Sequence, residues 1–390
     1  MIEMSSPDLT DRETEAILAV LRTPRLSMGP RLESFEGEVA RRVGARHAIA
    51  VSSGTAGLHL AVRAVGIQDG DLAITSPFSF VASANVLLYE RALPIFVDVD
   101  PETGNLDAAA VESAAHDLRQ GGEAGARWRP RRAGAGGDLK GLLSVDVFGQ
   151  PADHDELNAV ARRFGLFHLE DSCEAFGSSY RGRPAGRLGE IGVFAFYPNK
   201  QMTTGEGGII VCDDDSAAGM MRALRNQGRA PGDTWLQHTY LGYNYRMDEM
   251  SAALGLAQLQ RLDELLERRA QVAAWYDERI AEIAGVSGWP VRPTTTTMSW
   301  FVYVVRLDGD RARDRDRVAR DLEAAGVPSR PYFSPIHLQP YFVERFGYRP
   351  GDFPTAEDLG RRSLALPFSG VLTEDEVDTV CQALSAALHR

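Results

Sequence analysis

Lysine is almost missing from this chain: of its 42 lysine and arginine residues, only Lys140 and Lys200 are lysine. Arginine dominance alone needs no more than a GC-rich coding background. A lysine kept against that background points to amine chemistry. A guanidinium does not give up its proton in a protein, whereas an ammonium can, and the free amine then attacks a carbonyl to form a Schiff base. Cysteine is also scarce. Cys173, Cys212 and Cys381 stand apart without metal-ligand spacing, so buried free thiols and no metal site are expected. No apolar run is long enough to cross a bilayer, and residues 1–6 lack the basic and apolar regions of a secretory signal, so the expectation is a cytoplasmic protein with no membrane partner. A net charge of −12 argues against a nucleic-acid partner.

A chain of 390 residues suffices for one large domain and a smaller one. Strand-like runs at 45–51, 72–75, 94–98, 141–147, 166–169, 191–196 and 208–212 alternate with helical spacing at 80–89, 107–118, 154–163 and 216–226. Strands separated by helices imply an α/β fold with a largely parallel sheet, whose ligands gather at the carboxyl ends of the strands. The Gly, Ala and Arg content of 119–137 predicts a mobile surface loop. Leucines at helical spacing from Met247 to about Ile283 predict one long helix joining two lobes. Beyond it come a strand at 300–307, helices at 311–325 and 374–388, and a smaller α+β domain. The expected division is 1–265 and 266–390.

Three features fall in chain order where one cofactor could meet them all. Ser53-Gly54-Thr55-Ala56 lies at a strand-to-helix junction, where free amides and the positive helix end attract a phosphate. Asp171, in Glu170-Asp171-Ser172-Cys173-Glu174, ends a strand; it suits either a helix N-cap or a carboxylate that keeps a pyridine nitrogen protonated. Lys200, between Tyr197-Pro198-Asn199 and Gln201-Met202-Thr203-Thr204-Gly205, supplies the amine. Phosphate cradle, acid and amine match pyridoxal 5'-phosphate (PLP).

Together with Ser27-Met28-Gly29-Pro30, Phe80-Val81-Ala82-Ser83-Ala84-Asn85, Phe148-Gly149-Gln150-Pro151-Ala152-Asp153, Gly242-Tyr243-Asn244-Tyr245-Arg246-Met247 and Pro335-Ile336-His337-Leu338-Gln339-Pro340, these residues resemble the DegT/DnrJ/EryC1/StrS family of PLP-dependent sugar aminotransferases over nearly the whole chain. The resemblance implies fold type I of the PLP-dependent transferases, aspartate-aminotransferase-like. It also implies a homodimer with shared active sites. By that likeness Lys200 forms the Schiff base, Asp171 meets the pyridine nitrogen and Phe80 stacks on the ring. Glu174 lies near the phenolic oxygen, Gly54, Thr55 and Ala56 cradle the phosphate with backbone amides, and Asn244 reaches the phosphate of the other subunit. Arg246 and His337 are candidates for substrate contact. Three positions depart from the family pattern. Ala195 stands where a serine hydroxyl usually meets the phosphate, Glu174 where Gln or His is common, and Asp146 where histidine is frequent.

The implied reaction moves an amino group from an amino acid, L-glutamate by likeness, to a keto group of a nucleotide-linked deoxysugar. The segment 203–208 resembles enzymes directed to C4 of the sugar more than those directed to C3. Alternatives are a cyclitol ketone acceptor, sugar dehydration, which Lys200 argues against because relatives with that chemistry carry histidine there, and a non-catalytic PLP-binding regulator.

Overall fold

A computed structural model describes residues 2–134, 137–309 and 315–389. Its strands in chain order are β1 (His47–Val51), β2 (Leu72–Thr75), β3 (Leu93–Phe96), β4 (Leu139–Val145), β5 (Phe167–Asp171), β6 (Ser179–Tyr180), β7 (Arg183–Pro184), β8 (Ile191–Ala195), β9 (Gly208–Cys212), β10 (Val286–Gly288), β11 (Thr295–Thr297), β12 (Tyr303–Leu307) and β13 (Ser363–Leu366). The large sheet runs β1-β9-β8-β5-β4-β2-β3. From β3 through β8 every pairing is parallel, and β9 runs antiparallel to both its neighbours. Strands such as β2 and β9 are buried at every position, which is why they read as continuous apolar runs: helices cover both faces. A second sheet, β10-β12-β13, packs with the helices Arg315–Ala324 and Glu374–Leu388 to form the C-terminal α+β lobe. This large, mostly parallel sheet with a smaller lobe is the fold type I architecture that the resemblance implied.

The long helix expected from Met247 is two helices, Glu249–Gln260 and Leu262–Ile280, meeting at Arg261. The joint is set by charge: the buried Arg261 guanidinium bonds Asp8 Oδ1 at 2.8 Å and Glu13 Oε1 at 3.1 Å, while Met4 O accepts from Phe368 N at 3.0 Å. The first residues thus touch both the joint and the C-terminal lobe. We place the domain boundary inside the helix Leu262–Ile280. Leu262 and Leu265 share an apolar cluster with β1 and β9, whereas Val272, Tyr276 and Ile280 share one with β12 and β13.

The segment 119–137 is more ordered in form than a plain loop. It contains the helix Gly122–Ala126, and Arg127 and Trp128 both bond Asp117, while Arg131 grips Asp352 with two bonds. Positions 135–136 of that segment, and 311–314 of the expected helix at 311–325, lie outside the described residues. Among the described residues no helix is long and apolar enough to cross a membrane. Cys212 and Cys381 are buried as expected, but Cys173 is only partly so and borders the cavity described next.

Candidate active site

A cavity of about 630 Å³ opens at the carboxyl ends of the parallel strands, where Val145, Asp171 and Ala195 end β4, β5 and β8. The helix Gly54–Ala64 points its N-terminus into it through Ser53, Gly54 and Thr55. Phe80, Phe301, Tyr332 and Phe333 also line it, together with Lys200 and Glu174.

The amides of Gly54 and Thr55 have no acceptor among the described residues, which leaves the helix N-terminus its ordinary affinity for an anion. Only glycine fits at position 54: a Cβ there would lie 2.7 Å from Ala195 Cβ and 2.9 Å from Cys173 Sγ. Ala56 departs from expectation. Its amide donates to Ser53 Oγ at 3.1 Å, capping the helix, and it does not border the cavity. Ser53 does border it, and its hydroxyl proton can serve where Ala195 supplies none.

Lys200 Nζ lies 3.7 Å from Glu174 Oε1 and 3.7 Å from the centroid of the Phe301 ring. Burial pushes the Glu174 carboxyl up to about 7, against the opposing pull of Lys200 and of the Phe148 amide, which donates to Oε2 at 2.9 Å. That amide is aimed by a turn in which Phe148 takes φ 58°, a left-handed conformation uncommon for a non-glycine residue. Because folding raises this carboxyl's pKa, the native state binds more protons than the unfolded chain. The group therefore weakens the cofactor-free fold as pH rises from 4.5 to about 7, by about 3 kcal/mol in all. Glu174→Gln should flatten that part of the profile, read as urea midpoint against pH. An unchanged slope would mean that Glu174 ionises as freely as in the unfolded chain.

Asp171 is buried, with Oδ2 accepting from Ser83 Oγ at 2.6 Å and Oδ1 from Cys173 N at 3.2 Å. Ser83 was within reach of sequence reasoning, since it sits one helical turn after Phe80. Phe301 and Tyr332 were not, being brought in from far along the chain. Behind Asp171, Asp146, His154 and Glu170 converge with no exposure to solvent. Asp146 Oδ1 bonds His154 Nε2 at 2.8 Å and Oδ2 accepts from Ser172 Oγ at 2.7 Å. Glu170 accepts from the amides of Gly186, Leu188 and Gly189. Burial opposes a charge on His154, but Glu170 and Asp146 outweigh it and raise the pKa. With its oxygens so occupied, this cluster reads as a buried ion-pair node that backs the strand end.

Besides Ala56, three expected residues lie outside the cavity. Asn244 is exposed, between Tyr243 and Tyr245, whose stacked rings (4.9 Å) are held by Glu90 and His59 respectively. Arg246 donates to Asn226 Oδ1 at 3.0 Å. The expectation for His337 is corrected: it is fully buried, pairs with Glu357 Oε1 at 3.0 Å and packs on Phe353 at 4.7 Å, so it supports the fold and does not line the cavity.

An anion-seeking helix terminus, a buried carboxylate and an amine beside an aromatic wall suit the phosphate, ring nitrogen and aldehyde of PLP. When bound, PLP supplies an electron sink for negative charge developing at an amino acid's α-carbon. The model of the DegT/DnrJ/EryC1/StrS aminotransferase family matches residues 7–385. GDP-perosamine synthase of Caulobacter vibrioides is 38% identical over 388 residues, which cover 99% of this chain and 98% of that one. Among solved structures, S. venezuelae DesV superposes with a TM-score of 0.85 at 31% identity, covering 97% of this chain and 95% of its own. Helicobacter pylori PseC, an aminotransferase of pseudoaminic acid biosynthesis, gives 0.88 at 25%, covering 100% and 99%. A site built for PLP and likeness along almost the full length lead to one conclusion: the chain belongs to the DegT/DnrJ/EryC1/StrS family and is a PLP-dependent aminotransferase.

Proposed function

We propose that the acceptor is a keto group on a nucleotide-linked deoxysugar and that the amino donor is L-glutamate. The carrying observation is the lone amine of Lys200 in a cavity whose walls, Phe80, Val81, Phe301, Tyr332 and Phe333, are apolar and suit the faces of a deoxygenated ring. The GDP-linked amino sugar named for the Caulobacter relative supports the same substrate class.

In this reading the chain's own groups divide the work. Gly54 and Thr55 amides, with Ser53, take the phosphate. Asp171, steadied by Ser83, keeps the ring nitrogen protonated. Lys200 Nζ takes a proton from the donor's α-carbon and returns it on the far side of the transfer, as a general base placed beside the reacting atoms. Phe80 covers the exposed face. Mass spectrometry of products from glutamate and a panel of C3- and C4-keto nucleotide sugars tests the assignment. A glutamate-dependent amino sugar is expected from one of them. A deoxygenated sugar with no amine, or no product from any, would overturn it.

The working unit is a homodimer in which Asn244 reaches the partner's phosphate. Its outward placement supports this, as do nearby apolar side chains left open to solvent, Trp235, Leu236 and Leu241, each about 80% exposed. Asn244→Ala should weaken PLP retention about ten-fold, the value of one charge-assisted hydrogen bond, while leaving dimers intact in light scattering. Undiminished retention would remove the case for a shared site.

A further inference from the structure

Two adjacent arginines on the helix Leu262–Ile280 have opposite fates. Arg268 points outward to Asp8 and Glu264, each at 2.7 Å. Arg269 turns inward, is 4% exposed and makes no ion pair among the described residues. Its guanidinium instead bonds four backbone carbonyls. Nη1 donates to Trp300 O at 3.1 Å and Phe301 O at 3.3 Å, and Nη2 to Asn199 O at 3.2 Å and Lys200 O at 2.6 Å. Burying a cation without a counter-ion is unfavourable, and here burial pushes the arginine's pKa down to about 10.

The four acceptors belong to just two segments: the loop that carries the amine and the stretch that carries the ring beside it. Lys200 Nζ lies 3.7 Å from the Phe301 centroid, so one planar fork fixes the backbone of both partners in that contact. A lysine at 269 could not do the same, because three tetrahedral donors on one atom do not span four carbonyls lying in two pairs.

We propose that Arg269 is a positioning residue for the Lys200 amine, holding the nucleophile and the Phe301 face in register through their carbonyls. This rests on the reading of Lys200 as the residue that captures the cofactor aldehyde. The test uses the cofactor-free full chain as wild type, Arg269→Lys and Arg269→Met, checked for fold by circular dichroism. Capture of PLP is followed by visible absorbance, with borohydride trapping and peptide mapping; Lys140 serves as the internal reference. Binding of 4′-deoxypyridoxine phosphate, which keeps ring and phosphate but lacks the aldehyde, is measured by calorimetry.

In R269K the capture rate should fall by about ten-fold or more, as expected when a reacting group is displaced by a fraction of an ångström, while the analogue's Kd changes less than about three-fold. R269M should follow the same split more steeply. Phe301→Leu should slow capture too, and the double variant R269K/F301L should be slower than either by less than the product of the two effects, because both act on one contact. Unchanged capture in R269K, parallel loss of capture and analogue binding, or strict multiplicativity in the double variant would each overturn the proposal. A wild-type label found outside the Lys200 peptide would instead refute the assignment of Lys200, a separate outcome.

Discussion

Lys200→Ala should cost about 10⁴-fold or more in kcat, the upper range for a lost general base, and should also end covalent retention of PLP. The other lysine cannot substitute. Lys140, the one remaining lysine, is exposed near the start of β4, whereas the cavity lies at the far end of that strand beside Val145. Five residues of extended chain separate them by ~16 Å. Borohydride treatment of the variant should leave no label in any peptide, and added methylamine should restore a small part of the rate. A variant that kept its label and turned over at more than about one-hundredth of the wild-type rate would show that the nucleophile lies elsewhere.

The second large effect concerns stability. Asp146→Ala leaves His154 in a fully buried setting with one of its two carboxylates gone, and removes one of the two acceptors of Ser172, the other being Glu170. Breaking a buried pair from one side costs about 3–5 kcal/mol. Asp146→Asn, which keeps an acceptor but loses the charge, should fall between. Urea titration at pH 7 measures both. A loss below about 1 kcal/mol in the alanine variant, the range of an exposed pair, would mean that Asp146 and His154 do not form a charged pair. His154→Met, which removes the cation with its partner retained, should destabilise as well, because Asp146 and Glu170 would then share the buried site with no cation to offset them.

Much of this molecule could be read from its residues. The runs at 72–75 and 208–212 and the helix at 374–388 were located to the residue. The first two are unbroken β-branched and apolar stretches, and the helix starts at a Thr373/Glu376 capping box. That Gly54, Thr55, Asp171 and Lys200 gather at one cavity could be anticipated for a different reason: each is a residue type with one unusual capability, set close to a strand end.

What escaped had causes that lie far apart in sequence. The break at Arg261 has no glycine or proline to announce it, since the surrounding residues are good helix formers and the joint is imposed by Asp8 and Glu13 across some 250 positions. Strand β13 is four buried residues long, too short for any periodicity. Asp146 looked like an unexplained substitution because its counterpart, His154, sits beyond a tight turn and a proline. His337 looked available because a lone histidine gives no sign that Glu357 and two aromatic rings pack against it. Its partner ring Tyr348 and the neighbouring Phe353 come from a stretch with no pattern of its own.

The tether at the amino end has a practical corollary. With Met4 fastened beside Phe368 and Asp8 locked onto the arginine at the helix joint, any bulky fusion ahead of Met1 would tug on the seam between the lobes that frame the reaction chamber. Handles for purification or surface attachment therefore belong at the opposite terminus, where His389, just past the closing helix, is exposed.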